Sequence, residues 1–192
     1  MKKLILYTLF LIINFNCFSQ DNFEQDGVIL PRTLNFEGAK LELNGFGTRS
    51  KFLIDVYVQA LYLTRLSQDA KDILEANATM AVRLQILSSI VSSNKLSRSL
   101  NKGLRKSIGN SKMEQLKAEI ATLEKLLTLQ TTKKDDAFNL IYNPNDSSLW
   151  VFKNDVLLGK VPGFEFKKAF FGIWLSNNPV DEGLKKELLG KY

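Results

Sequence analysis

The stretch "LNGFGTRSKFLIDVYVQALYL", Leu43 to Leu63, decides the fold of this chain. It is rich in Leu, Ile, Val and aromatic residues, and Gly45 and Gly47 near its start indicate a bulge or a turn. Alternate positions from 52 onward are all apolar or aromatic: Phe52, Ile54, Val56, Val58, Ala60 and Tyr62. Period-two alternation of this kind is typical of a strand with one face on a core. We therefore expect one long strand, with Arg49 and Tyr57 together on its mixed face.

The same alternation continues on both sides of this stretch. Short apolar runs bounded by turn residues predict further strands at 27–36, 40–43, 80–87, 137–142, 148–153 and 156–161. Apolar residues recurring every third or fourth position predict helices at 68–77, from 93 to about 110, from 111 onward, at 164–176 and at 182–189. This order of elements indicates an α+β fold, an antiparallel sheet with helices on one face.

The first 19 residues have the pattern of a secretory signal peptide. A short basic start at 1–3 precedes an apolar run at 4–15, which is too short to span a bilayer comfortably. We predict cleavage after Ser19 and export to the periplasm or the cell exterior. Lipid attachment at Cys17 is the alternative, although Asn16 is not the small residue that a lipoprotein signal needs before its cysteine.

The rest of the chain is organised as one domain. We expect a flexible mature N-terminus at 20–26 and a single domain at 27–192, because the 192 residues suffice for one substantial core. The net charge of +6 falls to +4 once Lys2 and Lys3 leave with the signal peptide. This mild basicity predicts no nucleic-acid partner, and the basic face of the helix at 95–106 predicts at most weak contact with an anionic membrane surface.

The composition excludes several kinds of chemistry. The chain has no histidine and a single cysteine, Cys17, which signal cleavage would remove. Disulfides, thiolate catalysis and metal sites built on Cys or His are therefore excluded from the mature chain. Gly45 and Gly47 lack the further glycine and the lysine of a phosphate-binding loop, so no cofactor is predicted. The adjacent carboxylates at 135–136 and 181–182 are interpreted as a solvated linker and the start of a helix.

Three stretches together resemble the chalcone isomerase family. They are "LNGFGTR" at 43–49, "VYVQALYL" at 56–63 and "GKVPGFEFKKAFFGIWLSNNPVDEGLKKELLG" at 159–190. More narrowly, they resemble the chalcone-isomerase-like domain proteins that bacteria export, and the similarity extends from about Gly27 to Gly190. It implies an open-faced β-sandwich, in which a layer of helices covers one face of a large antiparallel sheet.

The resemblance also implies candidate site residues. In the plant enzymes of the family, an arginine after the glycine pair binds and polarises a flavonoid precursor, and a threonine and a tyrosine organise a water at its ketone. The arginine corresponds to Arg49, the threonine position falls on Tyr57, and the tyrosine position falls near Leu96, which has no hydroxyl. Chalcone cyclisation is therefore not expected, because the loss of oxyanion donors lowers rates by orders of magnitude.

Non-catalytic relatives in the family bind fatty acids, with an arginine and a tyrosine on the carboxylate. The resemblance thus implies that Arg49 and Tyr57 bind a small amphipathic acid, such as a fatty acid, with its tail in an apolar cleft. Two alternatives stay open. One is an intramolecular lyase or isomerase that uses Arg49 and Tyr57 on an enone-like substrate, and the other is a protein-interaction module with a closed cleft. Arg49 could also merely pair with a neighbouring acid.

Overall fold

The computed structural model describes residues 22–191, so the predicted signal peptide and Cys17 lie outside the described residues. The elements follow one another as β1 (Asn22–Gln25), β2 (Val28–Pro31), β3 (Thr33–Phe36), β4 (Ala39–Lys51), β5 (Ile54–Leu63), α1 (Ala70–Glu75), β6 (Met80–Ile86), α2 (Ser93–Gln115), α3 (Lys117–Thr128), β7 (Ala137–Asn143), β8 (Ser148–Lys153), β9 (Val156–Pro162), α4 (Phe164–Leu175) and α5 (Glu182–Leu188).

Strands β3 to β9 form one antiparallel seven-stranded sheet whose spatial order is the chain order. The helices pack on one face of this sheet and enclose the larger hydrophobic core, and the separate β1–β2 pair covers part of the other face. The predicted α+β class, a large antiparallel sheet with a layer of helices on one face, is confirmed. None of the helices within residues 22–191 is long and apolar enough to cross a bilayer.

The stretch from Leu43 to Leu63 is a hairpin, so the prediction of one long strand is wrong. Strand β4 ends at Lys51, and Phe52 and Leu53 make a two-residue turn with φ of 50° and 63°. Phe52 therefore points into solvent and not into the core that the alternation predicted. Arg49 and Tyr57 do share a face, but as directly opposed residues of neighbouring strands.

Both faces of β5 are buried from Tyr57 to Leu63. Val58, Ala60 and Tyr62 pack beneath the β1–β2 pair, and Tyr57 and Leu61 pack beneath the helices. The alternation within β5 therefore separates two apolar cores, where the sequence suggested one core and one mixed face.

The N-terminal and helical segments differ from the sequence expectations in detail. Residues 22–25, expected to be flexible, form β1, and the expected strand at 27–36 divides into β2 and β3, which belong to different sheets. The helical run α2 is broken at Gly109, whose φ of 72° and ψ of 171° are not helical, so the predicted helix boundary at about 110 is confirmed. The helical segment that follows is interrupted at Leu116, after which α3 begins at Lys117. Helix α1 is capped by Asp69 and not by Ser67, because the Asp69 carboxylate accepts from the first free amides.

Gly45 and Gly47 let α5 approach β4 closely. A Cβ at Gly45 would lie 2.2 Å from the backbone oxygen of Glu187, and a Cβ at Gly47 would lie 1.8 Å from the Glu187 carboxylate. The expected bulge is present between Leu43 and Gly45, where Asn44 donates to the backbone oxygen of Leu188 at 2.8 Å. The chain's last helix is thereby fixed beside Arg49.

Candidate functional site

A cleft lies between the β4–β5 hairpin and the N-terminal half of α2. It consists of two adjoining cavities of about 390 Å³ and about 210 Å³, which share Lys51, Val56, Tyr57, Ser99 and Lys102 in their walls. The larger volume lies in the range of about 300–1,000 Å³ that is common for small-molecule sites. The closed cleft required by the interaction-module alternative is therefore not what the structure shows.

The walls of this cleft are apolar and its polar side chains are cationic. The apolar part is built from β5, from α2 and the segment just before it, and from α4, with Ile54, Val56, Val91, Leu96 and Ile173. Among the described residues, those lining the two cavities include no aspartate or glutamate, whereas six are cations: Arg49, Lys51, Lys95, Arg98, Lys102 and Lys106. An apolar hollow with a positive rim complements a molecule with a hydrocarbon body and an acidic end.

Arg49 lies in the wall of the smaller cavity and is also ion-paired. Its Nη1 donates to the Asp181 carboxylate and to the backbone oxygen of Ser50, each at 2.7 Å. A guanidinium carries five N–H donors, so both contacts leave the Nε–Nη2 edge for another acceptor. That edge is one of the two that match a carboxylate bidentately. The sequence suggested that Arg49 either lines a cleft or pairs with an acid. In the structure it does both.

Tyr57 is buried next to Arg49 and faces the same cavities. Its hydroxyl oxygen accepts a hydrogen bond from Trp174 Nε1 at 3.2 Å, which leaves the hydroxyl proton for a second acceptor. Burial raises the pKa of Tyr57, and the Arg49 charge opposes this rise more weakly. Tyr57 is therefore a neutral donor at physiological pH and not a base.

Acidic side chains stand behind Arg49, outside the cavity lining. Asp181 caps α5 by accepting from the Leu184 amide at 3.1 Å with its other oxygen. Glu187 lies over Gly47, and burial together with the charges of Asp181 and Asp26 raises the pKa of its carboxyl. The positive charge of Arg49 is thus partly balanced by acidic side chains that lie outside the cavity lining.

The structure also shows which predicted site residues the chain brings together. Arg49 and Tyr57 are adjacent, and Leu96 is buried in the wall of the larger cavity, where it adds apolar surface and no hydroxyl. Sequence reasoning missed the contacts of Trp174 and Asp181, because it placed the first only within the predicted helix at 164–176 and took the second only as the start of a helix. No local pattern signals either contact, since each partner is more than 100 residues away along the chain.

Other parts of the described structure are less suited to a molecule with a hydrocarbon body and an acidic end. A shallow concavity of about 560 Å³ near the start of β2 has mostly polar walls, with Asp26, Asp55, Gln85, Lys134 and Asp135 among them. No group of three or more His, Cys, Asp or Glu side chains within 22–191 is placed to hold a metal ion. The cleft beside Arg49 is the candidate site.

Comparisons with known proteins agree with this fold. A family model described as chalcone isomerase-like matches residues 22–190. The fold is similar to the crystal structure of a fatty-acid binding protein of Arabidopsis thaliana, with a TM-score of 0.70 and 19% sequence identity over 88% of this chain and 95% of that chain. At this identity the likeness establishes the fold alone. A search of curated proteins found no match.

Proposed function

This chain belongs to the chalcone isomerase-like family, and from that premise we propose that it binds a small amphipathic acid, in the first instance a fatty acid, without converting it. The acid lies in the cleft between the β4–β5 hairpin and α2. Its carboxylate contacts Arg49, and its hydrocarbon chain follows the apolar wall toward Ile54 and Val91.

The observation that carries this proposal is the composition of the cleft. Apolar walls bind a hydrocarbon chain, and a lining whose charged members are all cations selects an anion over a cation. The solved protein of similar fold is itself described as a fatty-acid binding protein, which supports the choice of ligand class.

The carboxylate is held by two donors of different kinds. The free Nε–Nη2 edge of Arg49 offers two parallel hydrogen bonds, and the Tyr57 hydroxyl offers a third from the opposing strand. Asp181 keeps the guanidinium in place through Nη1, so the arginine need not be ordered by the ligand.

The site supports binding better than turnover. Cyclisation of an enone would need donors placed on the developing enolate and a base for the nucleophile. Leu96 supplies no hydroxyl, and Tyr57 is buried with a raised pKa, so it does not serve as a base near neutral pH.

Binding is tested by displacement of a fluorescent fatty acid and by native mass spectrometry of protein purified from cells. We expect wild type to bind long-chain acids better than the corresponding alcohols, with the acid recovered chemically unchanged. Arg49→Ala should weaken acid binding by about 10- to 100-fold, since charged hydrogen bonds contribute about 1.5–3 kcal/mol.

Arg65→Ala is the matched control, because Arg65 is exposed beyond the other end of β5 and lines neither cavity. It should leave the affinity unchanged. Equal affinity of wild type and Arg49→Ala for the acid would remove the basis of the proposal, as would a preference for the alcohol.

We also propose that the protein is exported, in the manner of the bacterial members that it resembles. The basic start at 1–3 and the apolar run at 4–15 support this. Mass spectrometry of protein from the producing cells should give a chain that begins at Gln20. An acylated Cys17 at the N-terminus would indicate a lipoprotein, and a chain retaining Met1 would contradict export by this route.

A further inference from the structure

The tip of the β4–β5 hairpin exposes two large apolar side chains. Phe52 is 87% exposed and Leu53 is 103% exposed, and Ile54 and Ile90 beside them are also exposed. Because both tip residues project away from the protein, they contribute little to its core. Contiguous apolar surface of this kind commonly marks an interaction site.

The same two-residue turn occurs four times in the described chain, which provides an internal comparison. It joins β1 to β2 as Asp26-Gly27, β3 to β4 as Glu37-Gly38 and β8 to β9 as Asn154-Asp155. In all four turns the first residue has φ of 48–50° and the second has φ of 63–80°. At the second position of the turn, these three carry glycine or a short polar residue: Gly27, Gly38 and Asp155.

The hairpin tip is the exception, because it places Phe and Leu where such turns favour Asn and Gly. Left-handed backbone is disfavoured for bulky side chains, so Phe52 and Leu53 destabilise the turn that they form. The fold therefore does not explain the presence of Phe52 and Leu53, whereas an external apolar partner does.

The charges around the tip indicate the chemistry of that partner. Lys51 precedes the tip, with its Nζ 5.5 Å from the centre of the Phe52 ring. Lys95, Arg98 and Lys102 extend from α2 along the same side of the cleft. The acidic residue closest to the tip in sequence, Asp55, is engaged by the Ser50 hydroxyl at 2.6 Å. On the side of the cleft the apolar tip is thus bordered by cations, whereas Asp55 lines the concavity on its other side, so it is the cleft side that matches an anionic lipid surface.

We propose that the β4–β5 hairpin docks the protein on an anionic lipid bilayer. Phe52 and Leu53 enter the boundary between headgroups and acyl chains, and the four cations Lys51, Lys95, Arg98 and Lys102 contact lipid phosphates. The proposal stands on the hairpin and its charges alone, and it does not require that the cleft hold a ligand.

Vesicle flotation of the full chain tests this proposal, with phosphatidylcholine vesicles that contain or lack phosphatidylglycerol. The variant is Phe52→Asn combined with Leu53→Gly, which installs the residues that this turn favours. It should fold at least as well as wild type, and thermal unfolding checks this. Val156→Thr with Leu157→Thr is the matched control, because it removes an exposed apolar pair at another hairpin.

We expect wild type to bind phosphatidylglycerol vesicles more tightly than pure phosphatidylcholine vesicles, and less tightly as salt rises. The tip variant should bind at least about tenfold more weakly, since two large apolar side chains no longer leave water. The control pair should bind as wild type does. The N-terminal segment is identical in all three proteins, so any lipid binding that it contributes does not affect the comparison between them. A tip variant that binds as wild type does, or a wild type that ignores lipid and captures a protein instead, would overturn the proposal.

Discussion

Replacement of Asp181 by Asn separates two roles that this carboxylate could have at the proposed site. Its Oδ2 accepts from Arg49 Nη1 at 2.7 Å, and its Oδ1 caps α5 by accepting from the Leu184 amide at 3.1 Å. Asn caps helices about as well as Asp, so Asp181→Asn removes the charge and keeps the cap. The fold should change little, because the ion pair joins side chains that are 23% and 27% exposed, and such pairs contribute about 0.5–1 kcal/mol.

Asp181→Asn should change the ligand affinity more than it changes the stability, and it should increase the affinity. A ligand carboxylate on the Nε–Nη2 edge would lie about 6 Å from the Asp181 carboxylate, a repulsion of about 0.7 kcal/mol in bulk water and about 2.8 kcal/mol at an effective dielectric constant of about 20. The ion-paired side chains are 23% and 27% exposed, so the site lies between these limits, at about 1.4 kcal/mol. Asp181→Asn should therefore bind fatty acids about tenfold more tightly than wild type does.

Displacement of a fluorescent fatty acid measures this change, with a fatty alcohol as the neutral comparison. The alcohol should bind both proteins equally, and the gain for the acid should shrink as salt screens the charges. Arg49→Ala measured in the Asp181→Asn background isolates the arginine contact, because it does not leave the Asp181 carboxylate unpaired. Equal or weaker binding of the acid by Asp181→Asn would refute this reasoning and show that Asp181 acts mainly by orienting Arg49.

Two further predictions concern the framework around the site. Gly45→Ala should destabilise the protein by about 3 kcal/mol, because its Cβ meets backbone oxygens of α5 at 2.2 and 2.6 Å. Gly47→Ala should cost less than about 1 kcal/mol, since the clashing Glu187 carboxylate can rotate away; urea unfolding of both variants measures the difference. Lys167→Met should lose about 2–3 kcal/mol at neutral pH, because the buried Lys167 Nζ donates to three backbone oxygens at the end of α1. Burial lowers the pKa of Lys167 to about 8, from 10.5, so the unfolded chain binds this proton more tightly than the folded one does. The stability of wild type relative to Lys167→Met should accordingly rise between pH 8 and 10.5 and stay constant below pH 7, which unfolding at several pH values checks.

Much of the sheet was predictable, because its later strands alternate regularly between clear turn signals. The strands predicted at 80–87, 137–142, 148–153 and 156–161 differ from β6 to β9 by one residue at most at each end. Asn-Asp and Pro-Gly mark their boundaries with residues that tolerate or impose turn backbone. The order of strands and helices, and hence the α+β class, followed from these local signals.

The β4–β5 hairpin was missed for a definite physical reason. Its turn residues, Phe52 and Leu53, continue the apolar character of the strands around them and lack the chemistry of a tight turn. Tertiary pairing of β4 with β5 imposes the turn despite the residues that form it. A sequence that violates local turn preference is a place where function competes with folding, and the docking role proposed for this tip accounts for that violation.

The candidate site was predictable only in part, because its contacts join distant parts of the chain. Arg49 and Asp181 are 132 residues apart, and Tyr57 and Trp174 are 117 residues apart. Their meeting depends on α4 and α5 returning across the beginning of the sheet, which no periodicity reveals. The sequence presented pairing with an acid and contact with a ligand as alternative roles for Arg49. The geometry makes them compatible, because Asp181 engages Nη1 and leaves the Nε and Nη2 donors of an arginine that lines the cavity. An arginine anchored in this way loses less side-chain entropy on binding an anion than a mobile one would, and this gain offsets part of the repulsion between the Asp181 carboxylate and the ligand.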